Sequence, residues 1–247
     1  MRDGAWVVVN ATEYSDLETV ACGVLLAERG GTSFLLRTGP SFVRALAGLG
    51  PKPPLRGSQI WPSGRRRGHG LIVAGSHTGN TNRQLAALRA AGGTIGIELD
   101  VPSVISGSRD AVAATAREVT AALTRSDVLL STSRTVAAGG DGEGSLAIAR
   151  RVSAALSGTV RAALAAQPAW VIAKGGITSH DVALSGLGIR RAAVAGQLFP
   201  GLISVFHPID AAPAAVGMPY VVFAGNVGDD GTLAQVVAIL NGEQEDP

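Results

Sequence analysis

The sequence predicts an α/β fold, a mostly parallel sheet with helices on both faces, preceded by a partial β-α-β segment. Three observations lead there. Short, continuous apolar runs alternate with segments whose apolar residues recur at helical spacing, the pattern of strands and helices laid down in turn. Apolar residues make up 46% of the 247 and aromatic ones 4%. The core is therefore built of Ala, Val, Leu and Ile, as in a parallel sheet covered on both sides. Glycine occurs 33 times and punctuates the turns between the runs. The length suits one large α/β domain, or one domain and part of another.

Trp6-Val7-Val8-Val9 reads as a buried strand, and Asn10-Ala11-Thr12 as the turn after it. Ser15 or Asp16 is placed to cap a helix with Leu17, Val20, Val24 and Ala27 on one face. Thr32 to Leu36 reads as a second strand and Ser41 to Leu46 as a short helix. Residues 1–48 thus form a β-α-β piece that starts mid-fold. Residues 49–70 carry Pro51, Pro53, Pro54 and Pro62 among Gly and Arg, without periodicity, and read as a linker.

The main unit, residues 71–247, opens on Leu71-Ile72-Val73-Ala74, a buried strand. Gly75 to Thr81 is a polar glycine turn, followed by a helix with Leu85 and Leu88 inward, then a strand at Ile95 to Leu99. Val112, Ala116, Val119 and Leu123 mark a helix from about Arg109, and Asp127 to Ser131 is the next strand. Gly139 to Gly144 is a glycine loop, and a long helix carries Ala149, Val152, Leu156, Val160 and Leu164 on one face. Ala169 to Ala173 is a strand, and a helix-like run covers Asp181 to Leu187. Strand-like runs follow at Arg191 to Ala195, Gly201 to Phe206 and Tyr220 to Phe223. Ala224 to Gly228 is another glycine turn, and the last helix has Leu233, Val236 and Leu240 inward.

Composition narrows the function classes. A formal charge of +2 does not imply a general nucleic-acid surface. Arg65-Arg66-Arg67 sits among Gly, Pro and Ser and reads as a solvated loop. Cys22 is the single cysteine, on the apolar side of its helix, so an intrachain disulfide is excluded and a cytoplasmic location fits. No apolar run reaches membrane-spanning length, and the first residues show no signal peptide.

The chemistry centres on Lys174-Gly175-Gly176-Ile177-Thr178-Ser179-His180-Asp181, where a strand meets a glycine turn and a helix start. Paired glycines let backbone approach a ligand and adopt positive φ. Thr178 or Ser179 is placed to cap the helix, whose free N–H groups attract an anion. Lys174 adds charge. An ordinary β–α turn with a capping Thr has the same residues. Three such turns, Gly75 to Thr81, Gly175 to Thr178 and Gly225 to Gly228, fall at carboxyl ends of strands, where open α/β sheets bind ligands. The P-loop signature, the Gly-x-Gly-x-x-Gly fingerprint after the first strand and the Gly-x-Ser-x-Gly elbow are all missing. His69, His77, His180 and His207 show no metal-binding spacing, so no metal ligand is assigned.

A series of ordered motifs resembles the four-carbon acid sugar kinase family. They are Gly75-Ser76, Thr81, Gln84-Leu85, Thr132-Ser133-Arg134, Lys174 to Ser179, Gly196-Gln197, Pro200-Gly201 and Gly225-Asn226-x-Gly228. The likeness runs from about Leu71 to Leu240 and corresponds to that family's C-terminal nucleotide-binding domain. Arg37-Thr38-x-x-Ser41-Phe42-Val43-Arg44 is similar to the end of its N-terminal, substrate-binding domain. The resemblance implies ATP-dependent phosphorylation of the terminal hydroxyl of threonate, erythronate or a 3-oxo-tetronate, with ATP and Mg²⁺ as cofactors. It places Ser76 against ATP, has Gly175, Gly176, Ile177 and Thr178 line the phosphates or ribose, and has Gly225 close the pocket. Phosphoryl transfer suits these residue types, because it needs donors and positioning more than a protein nucleophile.

One departure is large. Family members open with Asp-Asp-x-Thr-Gly, which supplies the base and sugar-acid contacts, and this chain has no such motif. The expectation is a fragment, a split gene or a truncated one, with no catalytic base assigned. Asp181 and Asp100 are acidic candidates by default, although a helix cap and a strand end account for them. The alternative is a non-catalytic nucleotide-binding or regulatory module that has lost the substrate domain. A dehydrogenase-like fold would instead bind NAD. Expected partners are the nucleotide, a small sugar acid, and either a second copy or a separate N-terminal half, with no nucleic acid or membrane.

Overall fold

A computed structural model describes residues 4–61, 64, 68–75, 78–133, 142–200 and 202–243. The chain divides into two compact units, Met1–Pro53 and Pro54–Pro247. The first holds helix α1 (Tyr14–Arg29) and helix α2 (Pro40–Leu46). Glu13 is the N-cap of α1, and Asp16 reaches back to accept from the N–H groups of Thr12 and Glu13, both at 3.0 Å. Ala21, Phe42 and Ala45 are buried between the two helices, with Leu17, Val20 and Val24 half-buried around them. Cys22 is exposed rather than buried. The apolar stripe runs through residues 17, 20, 21 and 24, and the next residue along the helix turns about 100° away from Ala21.

The two strands expected at Trp6 to Val9 and Thr32 to Leu36 do not form; both segments lie outside any ladder. Trp6 is 92% exposed and Leu35 fully so. Strand backbone needs a neighbour for its N–H and C=O groups, and an isolated pair of short strands is not stable in water. The helices of this unit, which satisfy their own backbones, form without that help.

The second unit is built on a seven-stranded sheet: β1 (Leu71–Ala74), β2 (Thr94–Leu99), β3 (Asp127–Thr132), β4 (Val171–Lys174), β5 (Arg191–Phe199), β6 (Leu202–Asp210) and β7 (Tyr220–Phe223). The order across it is β2-β3-β1-β4-β7-β6-β5. The five strands from β2 to β7 pair in parallel, and the β5–β6 hairpin closes the edge antiparallel. The fold is therefore the α/β arrangement that the apolar runs predict. Alternate residues of the central strands enter opposite layers, as strand geometry requires. Leu71, Val73, Val128, Leu130, Val171 and Ala173 join one core cluster. Ile72, Ala74, Leu129, Ile172, Val221 and Phe223 join the other.

Helices cover both faces of the sheet. Helix α3 (Gly79–Ala91) buries Leu85 and Leu88, and helix α8 (Thr232–Asn241) buries Leu233, Val236 and Leu240, on one face. Helix α4 (Val101–Ile105), helix α5 (Arg109–Ala122) and helix α6 (Gly142–Ala163) cover the other face through Val104, Val119, Leu156 and Val160. The expected glycine loop at 139–144 lies outside the described residues up to 141; from Gly142 the chain is helical. The Arg65-Arg66-Arg67 run also lies outside them. Within the segment without periodicity, Leu55 N–H donates to Gln197 O at 2.7 Å, and Ile60 and Trp61 are buried beside Trp170. No helix among the described residues is long and apolar enough to cross a membrane.

Candidate functional site

β1, β4 and β7 are neighbours in the sheet and run in parallel, so their carboxyl ends lie side by side. The helix after β1 covers one face, while α6, which leads into β4, covers the other. Chain direction across the sheet reverses between β1 and β4. A crevice at the carboxyl ends of the strands at such a switch point is where open α/β sheets hold ligands. Each of the three strands ends there in a glycine turn.

The β4 turn begins with Lys174, whose side chain is 0% exposed. Its Nζ donates to Ala224 O at 2.8 Å and sits 3.8 Å from the centre of the Phe223 ring. Burial pulls the ammonium down to a pKa of about 8. Gly175 follows at φ +110°, a conformation that side chains with a β-carbon rarely adopt. It starts helix α7 (Gly176–Asp181), which passes directly into the π-type turn Val182–Gly186. Thr178 and Ser179 therefore lie inside the helix and do not cap it. Ser179 Oγ bonds back to Ala173 O at 2.9 Å and Gly175 O at 2.8 Å. Tyr220 Oη donates to Ser179 O at 2.5 Å, and burial raises that phenol's pKa. The helix starts five residues earlier than its periodicity suggests, because Gly175 turns the chain at once.

The turn after β1 packs against the turn after β4. A β-carbon on Gly75 would stand 2.6 Å from Thr178 Oγ1, so glycine is what lets the two turns touch. The turn after β7 is tied to α3. Thr78 Oγ1 and Thr81 Oγ1 donate to Gly225 O at 3.4 Å, and Asn80 Nδ2 to Gly228 O at 3.3 Å. Gln84 Nε2 donates to Val227 O at 3.0 Å and Asp229 O at 2.7 Å. Gly228 has φ +77°, and a β-carbon there would meet Thr232 at 2.7 Å.

The structure thus brings Gly175, Gly176, Thr178 and Gly225 together at the carboxyl ends of neighbouring strands. Gly176 is exposed, and a β-carbon on it would meet nothing within 4 Å. Ile177 is 78% exposed at the start of α7, whereas Thr178 is buried. Ser76 lies outside the described residues, as does His77. Asp100 caps α4 by accepting from Ser103 N–H at 2.9 Å. Asp181 accepts from Ser153 Oγ of α6. Sequence reasoning gave Lys174 only a supporting charge; a lysine ending an otherwise apolar central strand was the signal. Thr81 and Gln84 entered only as members of the motif series and Thr78 not by itself; that all three tie α3 to the β7 turn, across some 145 residues, has no signal in the sequence.

Residues 71–233 match the family model described as the nucleotide-binding C-terminal domain. The chain belongs to that family, the C-terminal domain of the four-carbon acid sugar kinases. No curated protein sequence matches this nucleotide-binding domain. Among solved structures, it is similar to a Salmonella typhimurium LT2 protein provisionally named a tRNA synthase, at 22% identity and a TM-score of 0.63, over 92% of this chain and 51% of that one. It is also similar to a Bordetella bronchiseptica domain of unknown function, a domain-swapped dimer with bound citrate, at 22% identity and a TM-score of 0.60, over 93% and 52%. A Haemophilus influenzae protein aligns at 21% identity and a TM-score of 0.57, over 92% and 52%. The nucleotide-binding chain spans about half the length of these proteins.

Proposed function

We propose that this chain is the nucleotide-binding half of an ATP-dependent kinase that phosphorylates the terminal hydroxyl of a four-carbon sugar acid, such as threonate, erythronate or a 3-oxo-tetronate. The observation that carries the reading is the meeting of three glycine turns at the switch point of a sheet whose family is nucleotide-binding. In this reading Gly175, Gly176, Ile177 and Thr178 line the phosphates or ribose, Gly225 closes the pocket and Ser76 contacts ATP. The crevice suits such a ligand. Gly176 leaves open space for close backbone approach. Lys174 offers a charge that no protein carboxylate balances among the described residues. Mg²⁺ would be held chiefly by the nucleotide phosphates, as that ion commonly is, and would offset their charge during transfer.

The chain's own part is to bind and orient the nucleotide and to exclude water from its phosphates. The base and the acceptor contacts are assigned to a substrate half that lies outside residues 71–233. The domain-swapped dimer of the Bordetella bronchiseptica protein gives precedent for assembly between copies.

A thermal-shift panel tests the nucleotide. ATP and ADP with Mg²⁺ should raise the melting temperature, by the equivalent of about 2.7 kcal/mol at a hundredfold excess over Kd. NAD should leave it unchanged; stabilisation by NAD alone would overturn the kinase reading. A coupled ADP-release assay tests the division of labour. With four-carbon acids, the chain alone should turn over far below the usual enzyme median of about 10 per second. Adding a substrate half should restore transfer. Turnover near the median from the chain alone would show that the base lies within these residues.

A further inference from the structure

Two charged side chains are buried among the described residues of the sheet unit, Asp127 and Lys174. They are treated differently. Asp127, at the amino end of β3, accepts from Gly70 N–H and Asn241 Nδ2, both at 2.7 Å, and lies 3.6 Å from His69 Nδ1. Asn241 in turn accepts from Trp170 Nε1 at 3.2 Å. That charge is answered by protein at the end of the sheet where no ligand is expected. Lys174, at the carboxyl end of β4, has one carbonyl and one aromatic face among the described residues. An ammonium has three protons to donate, and buried charges are nearly always paired. No carboxylate among the described residues stands within ion-pair distance of it.

We infer that Lys174 is the residue through which this site reads phosphate charge, so that affinity climbs with phosphate number from adenosine to ATP. The inference rests on the nucleotide reading above and adds the residue that sets its selectivity. Position supports it. Nζ is bonded to the carbonyl of Ala224, and the next residue along the β7 turn, Gly225, has its own carbonyl held by Thr78 and Thr81. The ammonium thus ties the carboxyl end of β4 to the first residue of the turn after β7. A phosphate oxygen entering there would take the place of Ala224 O on Nζ and supply the missing negative charge. Away from bulk water such a pair is weakly screened. The glycine turns give shape and N–H donors, which an uncharged nucleoside also uses in part; the ammonium acts on the phosphates.

Calorimetric titration of the 247-residue chain with adenosine, AMP, ADP, ATP and sodium pyrophosphate tests this, in wild type and in Lys174→Met, a neutral side chain of similar length. The expected result is a loss of at least about tenfold for ADP, ATP and pyrophosphate, with adenosine unchanged. A folded variant with unaltered pyrophosphate and ADP affinity overturns the inference, and so does an equal loss for adenosine. Should the variant fail to fold, the wild type labelled with ¹⁵N-lysine decides. The Lys174 Nζ resonance should move on saturation with pyrophosphate; a resonance that stays put overturns the inference. Wild-type binding of pyrophosphate without ADP would sink the nucleotide reading while sustaining the role of Lys174. Binding of neither would sink both.

Discussion

Gly175 and Gly176 are adjacent and chemically identical, yet they should fail in different ways. Gly175 sits at φ +110°, where a β-carbon is strained whatever the free space. Gly175→Ala should cost roughly 1–3 kcal/mol of stability, read as a lower urea midpoint at unchanged slope. Gly176 has no neighbour that a β-carbon would touch. Gly176→Val should melt within a degree or two of wild type but bind ATP at least about tenfold more weakly, about 1.4 kcal/mol. A Gly176→Val protein with wild-type affinity would make the turn merely structural. Lys174 predicts a pH effect. Its folded pKa is lowered from 10.5 to about 8 by burial. Below about pH 8 both states carry the proton and the burial penalty stands in full. Above it the unfolded chain holds more protons than the folded one, so stability rises with pH towards 10.5. The 2.5-unit difference sets an upper limit of about 3 kcal/mol. Denaturation from pH 7.5 to 9.5 should show the rise, before the buried Tyr220 phenol acts in the opposite sense, and Lys174→Met should flatten it. The glycine pair was legible in the sequence as a flexible turn. Which glycine carries the positive φ was not, because that depends on where α7 begins.

At the scale of elements, short apolar runs located β1, β3, β4 and β7, since a strand buried on both faces leaves a continuous hydrophobic signature. The same signature misled at Trp6 to Val9 and Thr32 to Leu36. A run records that a segment suits a sheet, whereas a strand exists only where a neighbour completes its hydrogen bonds. Amide hydrogen exchange should separate the two cases. Amides of residues 5–10 and 33–38, which have no backbone partners among the described residues, should exchange at close to unstructured rates. Those of 71–74 and 171–174 should be among the last to exchange. Protection at 5–10 in the isolated chain would mean a ladder forms there. Short α4 was missed because its five residues carry no measurable period; it is set by Asp100 as cap and Pro102 in the first turn. The reach of β5 and β6 was underestimated for a similar reason: both continue as an exposed-edge hairpin whose polar residues break the apolar run.

For the molecule as a whole, the crevice draws its walls from residues near 75, 175 and 225, the ends of three strands that adjoin in space. Their separation along the chain has a consequence for synthesis. Contacts between such distant segments form late and slowly, since the intervening chain must close first. A nascent chain emerging from the ribosome can complete β1, β2 and β3 as a sheet well before β4 appears, but it has no third wall until β7 and the turn after it have emerged. Nucleotide therefore cannot act as a template for the early stages of folding. It can act only as a late clamp, holding together a site that comes into being once the turn after β7 has left the exit tunnel.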